Sequence, residues 1–343
     1  MKRLLLFAAL LVAIVGAIGS WQVVRFLNAP VQVPDDGLVF EIHPGSPLVS
    51  VSKELAGLGV IDHPTLFSWY ARLRGEGSAV HAGEYRIEAG LTPPDLLQKF
   101  VAGTVRLHSL TIVEGWTFRE LLARLANHEA VKQTFEYEAW PDLLAALGSG
   151  ATRPEGLFLP ETYRFPKDAK DTDILTQAYD LMQEALDAEW QGRADGLPLA
   201  TKYEALILAS IVEKETARAD ERSKIAGVFV RRLQKGMRLQ TDPSVIYGIG
   251  PDFDGNLTRS DLEADTPYNT YTRRRLPPTP IAMPGRASIH AALHPAPGPE
   301  LYFVATGRGD GSHKFSVTKA EHDTAVREYL ARLREARSTE SLQ

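Results

Sequence analysis

Leu206-Ile207-Leu208-Ala209-Ser210-Ile211-Val212-Glu213-Lys214-Glu215-Thr216 is the stretch from which the rest of the chain is best read. It holds no glycine or proline and is apolar up to Val212 apart from one serine, so a core helix is predicted over about Lys202–Thr216. At ~100° per residue, Leu208, Ile211, Val212 and Glu215 fall on one stripe, while Glu213 faces another way and forms no close dyad with Glu215. A carboxyl group at the edge of an apolar surface has its charged form disfavoured and its pKa raised. A value of ~6–7 suits a general acid near neutral pH. The competing reading makes Glu215 a capping or salt-bridging residue at the helix end, with Arg218 or Arg222 as partner.

Working toward the C-terminus, a helix is predicted from Asp220 to Leu233, stopped by Gly236. Gly236–Gly248 then reads as a compact polar loop around Asp242-Pro243, containing Gln240, and Thr266–Thr272 as a second loop with Tyr268, Asn269 and Tyr271. Tyrosine rings cover pyranose faces and amides pair with hydroxyl and acetamido groups, so both loops suit sugar recognition. Ordinary turn chemistry fits Asp242-Pro243 and Asn269 equally well. A loop-rich stretch with Pro277, Pro278, Pro280 and Pro284 follows, then the strand Leu301–Ala305, a glycine-rich turn, the strand His313–Val317 and a terminal helix Lys319–Arg337.

Toward the N-terminus, the pattern predicts a long helix over Thr172–Trp190 and a proline-bounded loop, Pro154–Tyr163, carrying Glu155 and Glu161. Before it come a helix capped by Thr117 and a strand from Val105 to Val113 that ends in Glu114-Gly115. Upstream, a strand (Leu38–Ile42), two helices (Pro47–Leu58, and Asp62–Leu73 with Asp62 as cap), a strand (Gly83–Ile87) and a helix capped by Thr92 make a small α+β module. Such a module either binds a polymer or serves as a spacer. The divisions expected are residues 1–28, 29–37 as a breaker-rich linker, 38–104 as the small module and 105–343 as the larger domain, α+β throughout.

Met1-Lys2-Arg3 precedes an uncharged run from Leu4 to Val24, close to the ~20 residues that span a bilayer. Lys2 and Arg3 keep the N-terminus cytoplasmic and send the rest outward, with Trp21 at interfacial depth and Arg25 closing the run. A cleaved signal peptide is the alternative, and both readings export the bulk of the chain. The 343 residues are 44% hydrophobic and 24% charged with a net charge of −5, a globular balance that lacks the basic footprint of a nucleic-acid binder. With no cysteine, disulfides, thiolate nucleophiles and Cys-ligated zinc are excluded. The nine histidines show no HExxH-type spacing, so a metal site would have to be assembled from distant segments and none is expected. No cofactor is expected either.

Taken in order, Val113-Glu114-Gly115, Phe158–Tyr163, Ala209–Thr216, Arg238–Pro243 and Tyr268–Tyr271 resemble the endolytic murein transglycosylase family (MltG/YceG-like), from the anchor to near the C-terminus. The resemblance implies a single-pass inner-membrane protein with a LysM-like module and a lysozyme-like, YceG-type catalytic domain outside the cytoplasm. It also implies peptidoglycan glycan strands as substrate and wall synthases, penicillin-binding proteins among them, as neighbours. In the wider group of lytic transglycosylases a small hydroxyl residue follows the catalytic glutamate at a helix end; Glu215-Thr216 matches and Glu213-Lys214 does not. Gln240, Asp242, Tyr268, Asn269 and Tyr271 become candidates for substrate positioning, and Glu114, Glu155 and Glu161 for lining the cleft. A hydrolytic muramidase and a non-catalytic wall-binding scaffold are the rival functions.

Overall fold

The computed structural model describes residues 2–340; Met1 and residues 341–343, the ends of the expected anchor and larger domain, lie outside the described residues. The chain forms two compact units, residues 1–108 with 164–168, and residues 109–163 with 169–343. All four sheets among the described residues are two-stranded ribbons.

The first unit opens with α1 (Lys2–Asn28), long and apolar enough to cross a membrane. Next come β1 (Leu38–Ile42), α2 (Leu48–Gly57), α3 (Pro64–Leu73), β2 (Gly83–Ile87) and α4 (Pro93–Val101). β1 and β2 pair antiparallel with Phe40 opposite Tyr85. The period-2 alternation puts Phe40, Ile42, Tyr85 and Ile87 on one buried face against Val51, Leu55, Phe67, Leu97 and Phe100. α4 starts as read, with Thr92 and Asp95 in a reciprocal capping box. Asp62 does not cap α3. The helix starts at Pro64, whose fixed φ and missing N–H suit the first turn, and Asp62 accepts from Gln32 Nε2 at 3.4 Å instead. The segment read as a linker is docked: Val31 N donates to Leu91 O (2.7 Å) and Gln32 N to Val60 O (3.0 Å), and Phe26 and Val31 join the core.

The second unit begins in β3 (Leu107–Thr111), followed by α5 (Phe118–Ala126), β4 (Val131–Lys132), α6 (Trp140–Ala146), β5 (Thr162–Pro166) and β6 (Ala169–Lys170). Thr117 and Glu120 close α5 with a second capping box. Then come α7 (Asp171–Gln191), α8 (Lys202–Glu215), α9 (Arg222–Gln234), α10 (Asp242–Ile249), α11 (Arg259–Glu263) and α12 (Arg286–Leu293). The unit ends with the hairpin of β7 (Tyr302–Ala305) and β8 (His313–Ser316) and with α13 (Lys319–Glu340). The stretch read as loop-rich thus holds three short helices. α10 occupies most of the expected Asp242-Pro243 loop, with Pro243 in the first turn where its absent N–H costs nothing.

α8 is the centre of this unit, packed by α7, α9, α10 and α12. Ala205 to Val212 are all buried, so the helix is apolar on every side instead of striped as the sequence suggested. Ser210, the one hydroxyl within that buried run, is bonded both ways. Ser210 Oγ donates to Ile207 O (2.7 Å) and accepts from Ile281 N (3.0 Å), which holds the proline-rich segment against the helix.

Candidate functional site

α8 runs out at Glu215, where Thr216 turns extended, and this places the last side chain of a buried helix at the wall of a cleft of about 440 Å³. Gln240, Asp242 and Tyr271 line the same cleft from the α9–α10 and α11–α12 connections. Arg232, Tyr302, His322 and Tyr329 line it as well.

Glu215 Oε1 accepts from Thr241 Oγ1 at 2.5 Å. Burial pushes its pKa up to about 7. The Thr241 bond and the Arg232 charge pull it back, and the neighbouring Asp242 charge adds to the rise. The salt-bridge alternative does not hold. Arg218 bonds Asp310 O and Asp220, and Arg222 lies 3.8 Å from Glu114 and 3.9 Å from Glu213. Glu213 indeed faces elsewhere, accepting from Gly285 N at 3.0 Å.

Thr241 was not singled out from sequence, yet it ties Glu215 to a network of buried hydroxyls. It is buried, its N–H donates to Thr270 Oγ1 (3.0 Å), and its carbonyl accepts from Ser244 Oγ (2.8 Å). Ser244 Oγ and Thr270 Oγ1 are 2.9 Å apart, so three buried hydroxyls support one carboxyl group. Arg232 braces the same loop: its guanidinium donates to Leu239 O (2.7 Å) and Leu301 O (2.6 Å) and lies 5.0 Å over the Tyr302 ring. The braced residue, Gln240, has φ +52°, a left-handed conformation that a non-glycine side chain adopts at a cost of order 1–3 kcal/mol. Its exposed amide lines the cleft, with Oε1 accepting from the Arg232 guanidinium at 3.5 Å.

Tyr271 donates its hydroxyl to Asp242 Oδ1, and burial together with that bond raises its pKa. Asn269 lies elsewhere. It is fully buried, with Nδ2 on the carbonyls of Asp261, Leu262 and Ala264 and Oδ1 accepting from Tyr271 N at 2.8 Å. Its amide therefore shapes the loop that presents Tyr271. Tyr268 and Glu155 form a separate cluster. Tyr247 packs edge-on to Tyr268 with ring centres 4.9 Å apart, and its hydroxyl donates to Glu155 Oε2 at 3.0 Å. Glu155 also accepts from Phe118 N (2.9 Å), and burial pushes its pKa up to about 7. Glu114 sits with Glu213 and Arg222, its pKa raised first by burial and then by the Glu213 charge. Glu161 is exposed and takes part through its carbonyl, which accepts from Ile112 N at 2.9 Å. The fold brings Glu215, Gln240, Asp242 and Tyr271 together and leaves the other five outside that cleft's lining.

Comparison with known proteins places this geometry in a family. An endolytic murein transglycosylase of Bacillus subtilis is 29% identical over 331 residues, covering 91% of both chains. One from Streptococcus pneumoniae strain D39 is 29% identical over 321 residues, covering 83% of this chain and 57% of its own length. The 2.6 Å crystal structure of a putative YceG-like protein from Listeria monocytogenes superposes with a TM-score of 0.52 at 28% identity, covering 85% of this chain and 99% of that one. The model of the YceG-like family matches residues 40–328, and the chain belongs to that family.

Proposed function

We propose that the protein is an endolytic peptidoglycan lytic transglycosylase that cleaves the bond between N-acetylmuramic acid and N-acetylglucosamine, with Glu215 as its acid and base. The carrying observation is a carboxyl group at the end of a buried helix, facing a cleft and with its pKa raised to about 7. Near neutral pH a useful fraction is protonated and donates to the glycosidic oxygen as oxocarbenium character develops on the muramic ring. The resulting carboxylate then takes the proton of the muramic C6 hydroxyl, which attacks C1 and closes a 1,6-anhydro ring. The nucleophile is intramolecular, so one carboxyl group serves both steps and no water is consumed. Gln240 and Tyr271 are assigned to positioning the glycan.

Asp242 favours a second reading. It puts another carboxylate in the same cleft, and a hydrolytic muramidase uses a pair of carboxylates ~5–9.5 Å apart. The Tyr271 hydroxyl occupies one of its oxygens, which suits a fixed acceptor better than a mobile base. We assign residues 38–104 to a LysM-like module, residues 105–343 to a lysozyme-like catalytic domain, and α1 to a single-pass anchor with its N-terminus in the cytoplasm. Nascent strands are the substrate of that arrangement, and wall synthases its neighbours.

The test is mass spectrometry of the products released from purified peptidoglycan, wild type beside Glu215→Gln. Anhydromuramic ends, reduced by roughly a hundredfold or more in the variant, are the expected outcome. Reducing ends from the wild type identify a muramidase. A fully active variant removes Glu215 from the chemistry.

A further inference from the structure

His290-Ala291-Ala292-Leu293-His294 puts one imidazole in the last turn of α12 and a second on the residue that caps it, four positions on. Residues at i and i+4 share a helix face, and the two rings stack with centres 4.3 Å apart and planes 24° apart. The third member comes from about a hundred residues upstream. α7 packs along α12 and presents Glu189, with Oε2 2.8 Å from His290 Nδ1 and 3.4 Å from His294 Nε2. One donor atom from each of the three residues lies within 4.8 Å of the others.

From these positions we propose that Glu189, His290 and His294 form a site for a divalent transition-metal ion, zinc by the chemistry of its donors, that clips α7 to α12. Two imidazole nitrogens and a carboxylate oxygen are a donor set zinc takes, with bonds of ~2.0–2.2 Å. The two nitrogen–oxygen separations of 2.8 and 3.4 Å lie close to the ~3.3 Å edge of a tetrahedron built on such bonds, and the stacked rings turn on binding to aim both lone pairs at one ion. Without an ion, Glu189 Oε2 is hydrogen-bonded to His290 Nδ1 and lies 3.4 Å from His294 Nε2; with it, both ring nitrogens face the ion without a proton. The fourth position opens to solvent, since His290 is more than half exposed. α12 also packs on α8, so the clip acts on the helix pair behind Glu215 without touching the cleft residues. No sequence spacing announces the complete site, because its carboxylate is supplied by the fold.

The full chain in detergent, stripped with chelator, is titrated with zinc chloride by calorimetry and followed by thermal unfolding; cobalt(II) is then added as a spectroscopic stand-in. One saturable site, a Tm that rises with zinc, and visible cobalt absorption are expected. His290→Ala and His294→Ala should each weaken zinc binding by roughly tenfold or more and abolish the zinc-dependent rise in Tm, while keeping the metal-free Tm. Glu189→Gln should weaken binding and alter the cobalt spectrum. No saturable binding, or binding unchanged in a His290→Ala/His294→Ala double variant, overturns the site. His290 is exposed and Glu189 and His294 are only partly buried, and the metal-free Tm of each variant separates loss of binding from loss of folding.

Discussion

At the scale of single residues, what distinguishes Glu215 is how little holds its charge. Its one hydrogen bond comes from Thr241, and that bond favours the ionised form. Replacing Thr241 with valine removes the donor at nearly constant volume, so the carboxyl pKa should rise above about 7. The limb on which kcat/KM falls with increasing pH should then move to higher pH by up to about a unit. Thr241→Ser keeps the hydroxyl and should leave the limb in place; a limb unmoved by valine would mean the bond does not tune the acid. Glu155 offers a stability counterpart. Its folded pKa, about 7 against an ordinary 4.5, means the folded state holds the proton more tightly than the unfolded chain. The sign follows: stability is full below pH 4.5 and declines as pH rises toward 7. Glu155→Gln mimics the protonated form, still able to accept from Phe118 N and to pair with Tyr247. Urea unfolding should find it more stable than wild type at pH 8, by on the order of 2–3 kcal/mol, and nearly equal at pH 4.5. Equal stability at pH 8 would show that the wild-type carboxylate is compensated. The burial of Glu215 was legible in the sequence because the residue ends an apolar helix. Thr241 was not, because its partner lies 26 residues away and only the fold joins them.

Elements whose signals are local read well from sequence. The capping boxes at Thr92 and Thr117 sit where a Thr precedes an acid by three residues, as does a third at Thr258 that opens α11, and α8 announces itself by an unbroken apolar run. α10 did not, because Asp242-Pro243 opens a turn or a helix with equal ease and the helix is only eight residues long. α11 is shorter still, five residues, and is fastened from outside by the Asn269 amide on its last carbonyls. Truncation to Asn269→Ala leaves those carbonyls and Tyr271 N without their partner in a buried place. Thermal unfolding should show a loss of ~2–4 kcal/mol, and kcat/KM should fall as Tyr271 and Asp242 drift. Asn269→Asp should be worse than alanine, since it sets a negative oxygen against three carbonyls. A wild-type Tm in both variants would show that α11 needs no such fastening.

For the molecule as a whole, the boundary between the apolar helix α1 and the folded module is the least legible feature. Proline, aspartate and glycine between Pro30 and Gly37 read as a free linker, because composition reports local stiffness and says nothing of docking. In the fold, Phe26 and Val31 are each only 7% exposed, and Phe26 meets His63 edge-on at 5.9 Å. The last turn of α1 and the residues after it are thus part of the first unit's core, and a chain cut at the apparent linker loses two core side chains and two backbone hydrogen bonds. Removing a buried phenylalanine alone costs ~3–5 kcal/mol. A fragment of residues 22–340 should therefore unfold at a higher temperature in its first calorimetric transition than one of residues 38–340. Phe26→Ala in the longer fragment should recover much of that difference. Coincident transitions in the two fragments would restore the linker reading and leave Phe26 a bystander. A gap that Phe26→Ala reproduces would mean that α1 enters the module with its direction fixed by packing.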